Sequence, residues 1–361
     1  MADLGTLPDS PRDLGWSLRV ATHAMDFFAM KGTFDPKCVG KSASEGGLSP
    51  LMVSNFLDHL SSLHGETVWD DTRHVIRLIG KMATEGWLEY QGNPINTPLM
   101  GNAYWASGFH ATTAQSTGVL YLSSLLGPEL IIRSYGPSAI PITGKNKLGD
   151  VAVGTGFALD ERHILTNAHV VEGMDLDEEF ETSAVPHLGW SDRDVELSGR
   201  GSVKPWHVRV VDVRASDDGE APDVAVIEIE PGPEGHGLIA PHGAVFRDPE
   251  WADRVLTFGY PPVPTSKTAA LVVHHGEVVN PAVPTFHGPA FLYSAVTRPG
   301  NSGGPIVASD GRIVGIVAHD VRDEGRTDEA PYYRAIPANV VLGELKNLGL
   351  GHLATVEDWK Y

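Results

Sequence analysis

The residues best suited to chemistry lie in Gly300-Asn301-Ser302-Gly303-Gly304-Pro305, a tight loop with one hydroxyl at its centre. A strand-like run, residues 290–296, precedes it, and Ile306-Val307-Ala308 follows. Glycine permits backbone angles that turn successive N–H groups to one side. Two amides aimed at one point beside a serine oxygen suit the oxyanion that develops in acyl transfer. Serine is a weak nucleophile unless an imidazole takes its proton and an acid orients that imidazole. His169, in Leu165-Thr166-Asn167-Ala168-His169-Val170-Val171, is the candidate base, since histidine titrates near neutral pH. Asp223 heads the apolar run Val224-Ala225-Val226-Ile227. A carboxylate there is expected to be partly buried and to need a partner, and the His169 N–H supplies one. Asp212, Asp217 and Asp218 are rivals on a charged, solvated stretch.

The order base, acid, nucleophile is that of the chymotrypsin type, not of the subtilisins or α/β-hydrolases. With GTGFAL and LTNAHVV, DVAVIEI, and PGNSGGPI followed by GRIVGIVAH, roughly residues 138–348 resemble the trypsin-like serine peptidases, and within them the bacterial HtrA/Deg-like branch. The resemblance implies a double β-barrel serine endopeptidase that needs no cofactor. It implies an acyl-enzyme formed on Ser302 and an oxyanion hole built from the amides of Gly300 and Ser302. It makes Val296 the base of the primary substrate pocket, and it lines the substrate's other side with Val317, Ala318, His319 and Asp320. Ala318 stands where the family usually has a serine supporting the acid, and Asp320 where many members have glycine. Asn301 precedes the nucleophile where animal enzymes carry the aspartate that pairs with a freshly cut N-terminus, so activation of that kind is not expected. After the C-terminal helix too few residues remain for a PDZ domain. The alternative from another class is an inactive scaffold of the same fold that binds proteins.

These residues need elements to position them. From Ala139 the chain reads as short strands divided by Gly, Pro and Asp: 139–143, 150–159, 162–166, 204–214, 223–230, 253–259, 269–278, 289–297, 305–309, 311–319 and 331–336, with a helix from Pro337 to Lys346. Residues 172–202 and 214–222 read as surface loops. Upstream the periodicity is helical over 13–31, 49–63, 70–85 and 112–126, with loose stretches at 1–12 and 33–48. Trp87-Leu88-Glu89-Tyr90 after the third helix resembles the wing of a winged-helix domain. Gly136-Pro137 reads as the boundary. The organisation is a helical docking or regulatory module over 1–136, a peptidase domain over 137–348 and a tail over 349–361.

Composition bounds the partners. The formal net charge is −19, and residues 1–136 hold nine Lys and Arg against thirteen Asp and Glu. Nucleic acid and anionic membranes select basic surfaces, so neither is an expected partner, and the module reads as docking a protein. The single cysteine, Cys38, allows no intrachain disulfide. With no HExxH and no cysteine cluster, no metal site is expected. No leader or membrane-spanning run is legible, and the chain reads as cytoplasmic. Trypsin-like domains joined to helical adaptors occur as effectors in bacterial conflict and signalling, and this organisation is similar.

Overall fold

In a computed structural model the described residues are 14–29, 50–64, 66–107, 114–115, 118–185, 188–191, 194–197, 204–216, 221–232, 235–285, 288–318 and 332–357. Cys38, Asp217, Asp218, His319, Asp320 and the stretches 1–12 and 33–48 lie outside them. The chain divides into two compact units. One comprises residues 1–112 with 124–127 and 189–197, and the other 113–123, 128–188 and 198–361.

The first unit is built on helices Leu14–Phe28, Val53–His64 and Thr72–Thr84. Short strands Leu51–Met52, Ala103–Ala106 and Leu88–Tyr90 pair antiparallel in that spatial order. Helix, strand, two helices and then a hairpin whose return strand takes the central place make the winged-helix arrangement suggested by Trp87-Leu88-Glu89-Tyr90. The apolar faces seen in the periodicity do the packing: Trp16, Leu18, Phe27 and Phe28 of the first helix, Phe56, Leu57 and Leu60 of the second, and Val75, Ile79 and Met82 of the third are buried. The Phe56 ring lies 5.3 Å from Phe27 and 5.4 Å from Phe28. On the third helix Arg73 and Arg77 are exposed, as is Asp70 just before it, and the Lys81 ammonium donates to the Leu125 carbonyl. The exposed face is thus of mixed charge.

The second unit holds two β-structures. A seven-stranded antiparallel sheet runs Met174–Leu176, Ala139–Asn146, Val151–Ala158, His163–Thr166, Ala225–Pro231, His207–Ala215, Glu179–Glu181. Its interior is Ile140, Ile142, Ile164, Phe180, Val208, Ile227 and Ile229. The other is a closed six-stranded barrel of Arg254–Gly259, Val272–Thr285, Gly288–Tyr293, Tyr333–Pro337, Ile313–Val317 and Pro305–Ala308. Val255, Phe291, Tyr293, Ile306, Val314 and Val317 fill it. A third apolar cluster joins the outer faces to the C-terminal helix Ala338–Asn347 through Phe157, Phe258, Ile316, Ile336, Val341 and Leu345.

Several elements differ from expectation. The strand from Val272 continues to Thr285, through Pro281 and Pro284. Its pairing with Gly288–Tyr293 shifts register between Asn280 and Val283, which brackets Pro281, so that proline's missing N–H falls at a bulge. The helix expected over 112–126 is reduced to short turns at Leu120–Leu122 and Ser123–Leu126. Gly127, at φ +87°, ends them, and Pro128 begins a further helix that runs to Tyr135. The stretch expected to be surface loop, 172–202, contributes strands Met174–Leu176, Glu179–Glu181, Leu188–Ser191 and Asp194–Leu197.

The compact unit holding the barrels therefore starts upstream of Gly136-Pro137. Leu120, Ile131 and Tyr135 belong to its apolar cluster, and the buried Tyr135 hydroxyl donates to the Gly311 carbonyl at 2.8 Å. Burial pushes that phenol well above its ordinary pKa. The residues after the C-terminal helix are also built in. Leu350 and Ala354 are buried, and the Phe246 amide donates to the Thr355 carbonyl. An ion network anchors the same region: Arg247 meets Asp253 at 2.7 Å and Asp310 at 2.9 Å, while Arg312 meets Asp310 at 2.9 Å and Glu357 at 2.7 Å. Burial works against the Arg247 charge, but Asp253 and Asp310 outweigh it and hold the guanidinium above its usual range.

Tyr135→Ala is expected to cost about 3–5 kcal/mol in the unfolding of this unit. Tyr135→Phe leaves the Gly311 carbonyl unpaired and is expected to cost about 1–3 kcal/mol. Denaturant melts of both variants check this, and a truncation at residue 137 should unfold more easily than one at residue 113.

Candidate active site

Antiparallel register brings the candidate base and acid together. Thr166, at the end of its strand, lies opposite Ala225, at the start of its own. The residues just beyond each, 167–169 and 223–224, therefore leave the sheet at one end. His169 sits in the short helix Ala168–Glu172, entered through Asn167 in an extended conformation. The Asn167 side-chain amide donates to the Asp223 carbonyl at 2.8 Å. The Asp223 carboxylate then holds His169 twice: Oδ1 accepts the backbone N–H at 2.8 Å, and Oδ2 accepts Nδ1–H at 2.7 Å. Asp212, the rival among the described residues, instead accepts from the Arg214 guanidinium at 3.1 Å on the exposed sheet face.

Ser302 is carried on a loop clamped from both β-structures. The Thr155 hydroxyl donates to the Gly300 carbonyl at 2.6 Å and accepts the Tyr260 amide at 3.0 Å. The Thr155 amide donates to the Ser302 carbonyl at 3.0 Å. On the other side the Gly303 amide donates to Val317, and the Val317 amide donates back to Gly304. Gly303, at φ +84°, leaves no room for a side chain, since a Cβ there would lie 2.3 Å from the Thr155 carbonyl oxygen and 2.3 Å from Thr166 Oγ1. It would also lie 3.0 Å from the Asn167 nitrogen. The nucleophile loop is thus packed against the residue two before His169. Ser302 itself is 8% exposed.

The loop amides divide into two sets. Those of Asn301, Gly303 and Gly304 donate to the carbonyls of Arg298, Val317 and Asn301. Those of Gly300 and Ser302 donate to no group among the described residues.

The substrate-side expectations sort differently. Val296 is 38% exposed and lies outside the apolar cores, open to a ligand. Val317 is fully buried in the barrel interior and its backbone is spent on Gly303 and Gly304, so it supports the nucleophile loop and offers a substrate no side chain. Ala318 is buried, and its amide donates to Arg334 at 3.3 Å. Thr155 and Asn167 were missed by the sequence reading. Their positions in GTGFAL and LTNAHVV were the available signal, because both lie inside motifs already singled out.

Residues 154–316 match the family described as trypsin-like peptidase domain. The chain carries a trypsin-like peptidase domain. The serine endopeptidase and double-barrel expectations hold with it. Solved structures similar to this chain include the Rv3671c protease from M. tuberculosis. Its inactive form has 20% identity and a TM-score of 0.39, covering 61% of this chain and 92% of that one. Its active form has 21% identity and a TM-score of 0.40, with coverages of 61% and 84%. The serine endoprotease from Yersinia pestis has 20% identity and a TM-score of 0.41, with coverages of 61% and 65%. Among the described residues no helix is long and apolar enough to cross a membrane.

In the peptidase domain, Gly303→Ala is expected to push the loop off Thr155 and Thr166, lowering kcat/KM by about 10²-fold or more, since displacing the nucleophile by about 1 Å is that costly. Peptide turnover together with a thermal melt separates this from global unfolding.

Proposed function

We propose that the domain hydrolyses peptide bonds by covalent catalysis, with Ser302 as nucleophile, His169 as general base and acid, and Asp223 as the group that orients the imidazole. The observation that carries the reading is the double hold of Asp223 on His169, at the backbone N–H and at ring Nδ1. Ser302 Oγ attacks the scissile carbonyl as Nε2 takes its proton. The oxyanion is met by the unspent amides of Gly300 and Ser302. The imidazolium returns the proton to the leaving amine as the C–N bond breaks. Water, deprotonated by the same Nε2, then cleaves the acyl-enzyme and releases Ser302. No step calls for a metal or cofactor.

The finer reading is an HtrA/Deg-like bacterial endopeptidase without a PDZ domain, acting in the cytoplasm as a regulated effector of a signalling or defence system. A single cysteine suits a reducing compartment. The first unit, with a mixed-charge helix face, is proposed to dock a protein that sets the activity. Val296 at the pocket base favours small or medium apolar residues before the scissile bond, because it supplies no carboxylate for Lys or Arg.

Fluorophosphonate labelling is expected at Ser302 and to vanish in Ser302→Ala, with turnover falling about 10⁶-fold. Asp223→Asn is expected to lose about 10⁴-fold in kcat, through the wrong imidazole tautomer. Absence of labelling in the wild type would return the protein to the class of inactive scaffolds. Profiling on a peptide library is expected to show apolar residues before the cut, and a strict Arg or Lys preference would remove Val296 from its assigned place. Basal turnover is expected to be low and to change when the partner of the first unit is added. Kinetics identical with and without any partner would leave that unit with no regulatory role.

A further inference from the structure

The Asp223 carboxylate makes both of its hydrogen bonds to one residue. Oδ1 accepts the His169 backbone N–H, and Oδ2 meets Nδ1 of the ring. A carboxylate whose bonds all run to the group it must orient is no better placed than that group, unless its own main chain is anchored. The side chain of Ala318, on the same pocket wall as Asp223, has no donor to offer. The main chain at the acid is bent: the Val224 amide donates to the Pro222 carbonyl at 2.7 Å, closing a three-residue turn centred on Asp223. One hydrogen bond across a turn does little to stop the residue at its apex from pivoting.

The Asp223 carbonyl is held by Asn167. This asparagine is fully buried, and its Nδ2 donates to that carbonyl at 2.8 Å. The nitrogen must be the end that faces Asp223, since two carbonyl oxygens would repel. Asn167 stands just before the helix Ala168–Glu172, where an asparagine side chain ordinarily accepts a backbone N–H of the first turn. It makes no such bond here, and the His169 N–H goes to Asp223 Oδ1 instead. The two residues have exchanged tasks: the acid satisfies the helix, and the asparagine holds the acid. The exchange leaves Asn167 Oδ1 buried with no donor among the described residues. Such an oxygen is destabilising, and a native fold keeps one where something else requires the residue. The Asn167 backbone adds two contacts. Its carbonyl accepts the Val170 amide at 3.2 Å, inside the His169 helix. Its nitrogen lies 3.0 Å from where a Cβ on Gly303 would stand. One residue therefore meets the segments that carry His169, Asp223 and Ser302.

We propose that Asn167 is a positioning residue for the triad, its side-chain amide fixing the Asp223 main chain so that the carboxylate meets the backbone and the ring of His169 together. The proposal rests on the roles assigned above to His169, Asp223 and Ser302. Without the amide the acid swings about its turn, and the imidazole loses the orientation that proton transfer needs.

Asn167→Leu keeps the side-chain shape and removes the donor. It is expected to melt within about 4 °C of the wild type, because one unpaired oxygen, Asn167 Oδ1, is exchanged for another, the Asp223 carbonyl. In a Ser302→Ala background, where turnover plays no part, the Nδ1–H proton resonance of His169 is expected to shift upfield and broaden in Asn167→Leu as its bond to Asp223 loosens. With Ser302 intact, kcat and the rate of fluorophosphonate labelling are expected to fall about tenfold with KM little changed, the size of one hydrogen bond on the rate scale. In an Asp223→Asn background the same substitution is expected to change the labelling rate by less than about twofold, since Asn167 acts through the acid. A tenfold loss in both backgrounds would overturn the proposal and make Asn167 a support of the Ser302 loop through Gly303. An unmoved resonance or an unchanged labelling rate would overturn it too. Should Asn167→Leu fail to fold, Asn167→Ala removes the same donor and is held to the same outcomes. Failure of the wild type to label or cleave would instead defeat the peptidase reading, and the resonance would still report on Asn167.

Discussion

The Thr155 hydroxyl donates to the Gly300 carbonyl and accepts the Tyr260 amide, while the Thr155 amide holds the Ser302 carbonyl. Thr155 belongs to the seven-stranded sheet, and Gly300, Ser302 and Tyr260 come from the segment that builds the closed barrel. One buried side chain thus fixes where the Ser302 loop of one β-structure rests on the other. A buried hydroxyl with both roles used costs nothing in unmet hydrogen bonds, whereas its loss would strand a carbonyl and an amide. The site exists only when both sheets have formed.

From that clamp the unspent amides follow. Asn301, Gly303 and Gly304 turn their N–H groups to internal carbonyls, and the positive φ of Gly300 and Gly303 lets the loop fold tightly enough to do so. The amides of Gly300 and Ser302 donate to none of the described residues. His169 is held with similar economy, since one carboxylate meets both its backbone and its ring.

Beyond the matched region 154–316, the peptidase unit draws on chain from both sides. Tyr135 and Leu120 enter its core from upstream, and Leu350, Ala354 and Glu357 join from downstream. Burial and the Asp310 charge push Glu357 toward its neutral form, and Arg312 opposes them. The buried ions are tolerated because each has a close partner of opposite sign, a geometry that fixes arrangement more than it adds stability.

Much of this was legible from residue order. Strand after strand from Ala139 onward falls where alternating apolar residues and turn residues put it, because side-chain burial on a pleated sheet is a local property of sequence. His169, Asp223 and Ser302 could be named from the residue types and from the runs that flank them. What pattern could not decide is anything set by partners distant in the chain. The helix Pro128–Tyr135 looks like a stop because proline ends helices and also begins them, and only the apolar cluster receiving Ile131 and Tyr135 distinguishes the two. Val317 reads as a substrate wall in one dimension, but the barrel turns its side chain inward and spends its backbone on Gly303 and Gly304. The role of Thr155 is invisible in sequence, since a hydroxyl in a strand has no assigned partner until Gly300 and Tyr260 arrive beside it. Local chemistry determined which groups were available, and long-range register determined which of them meet.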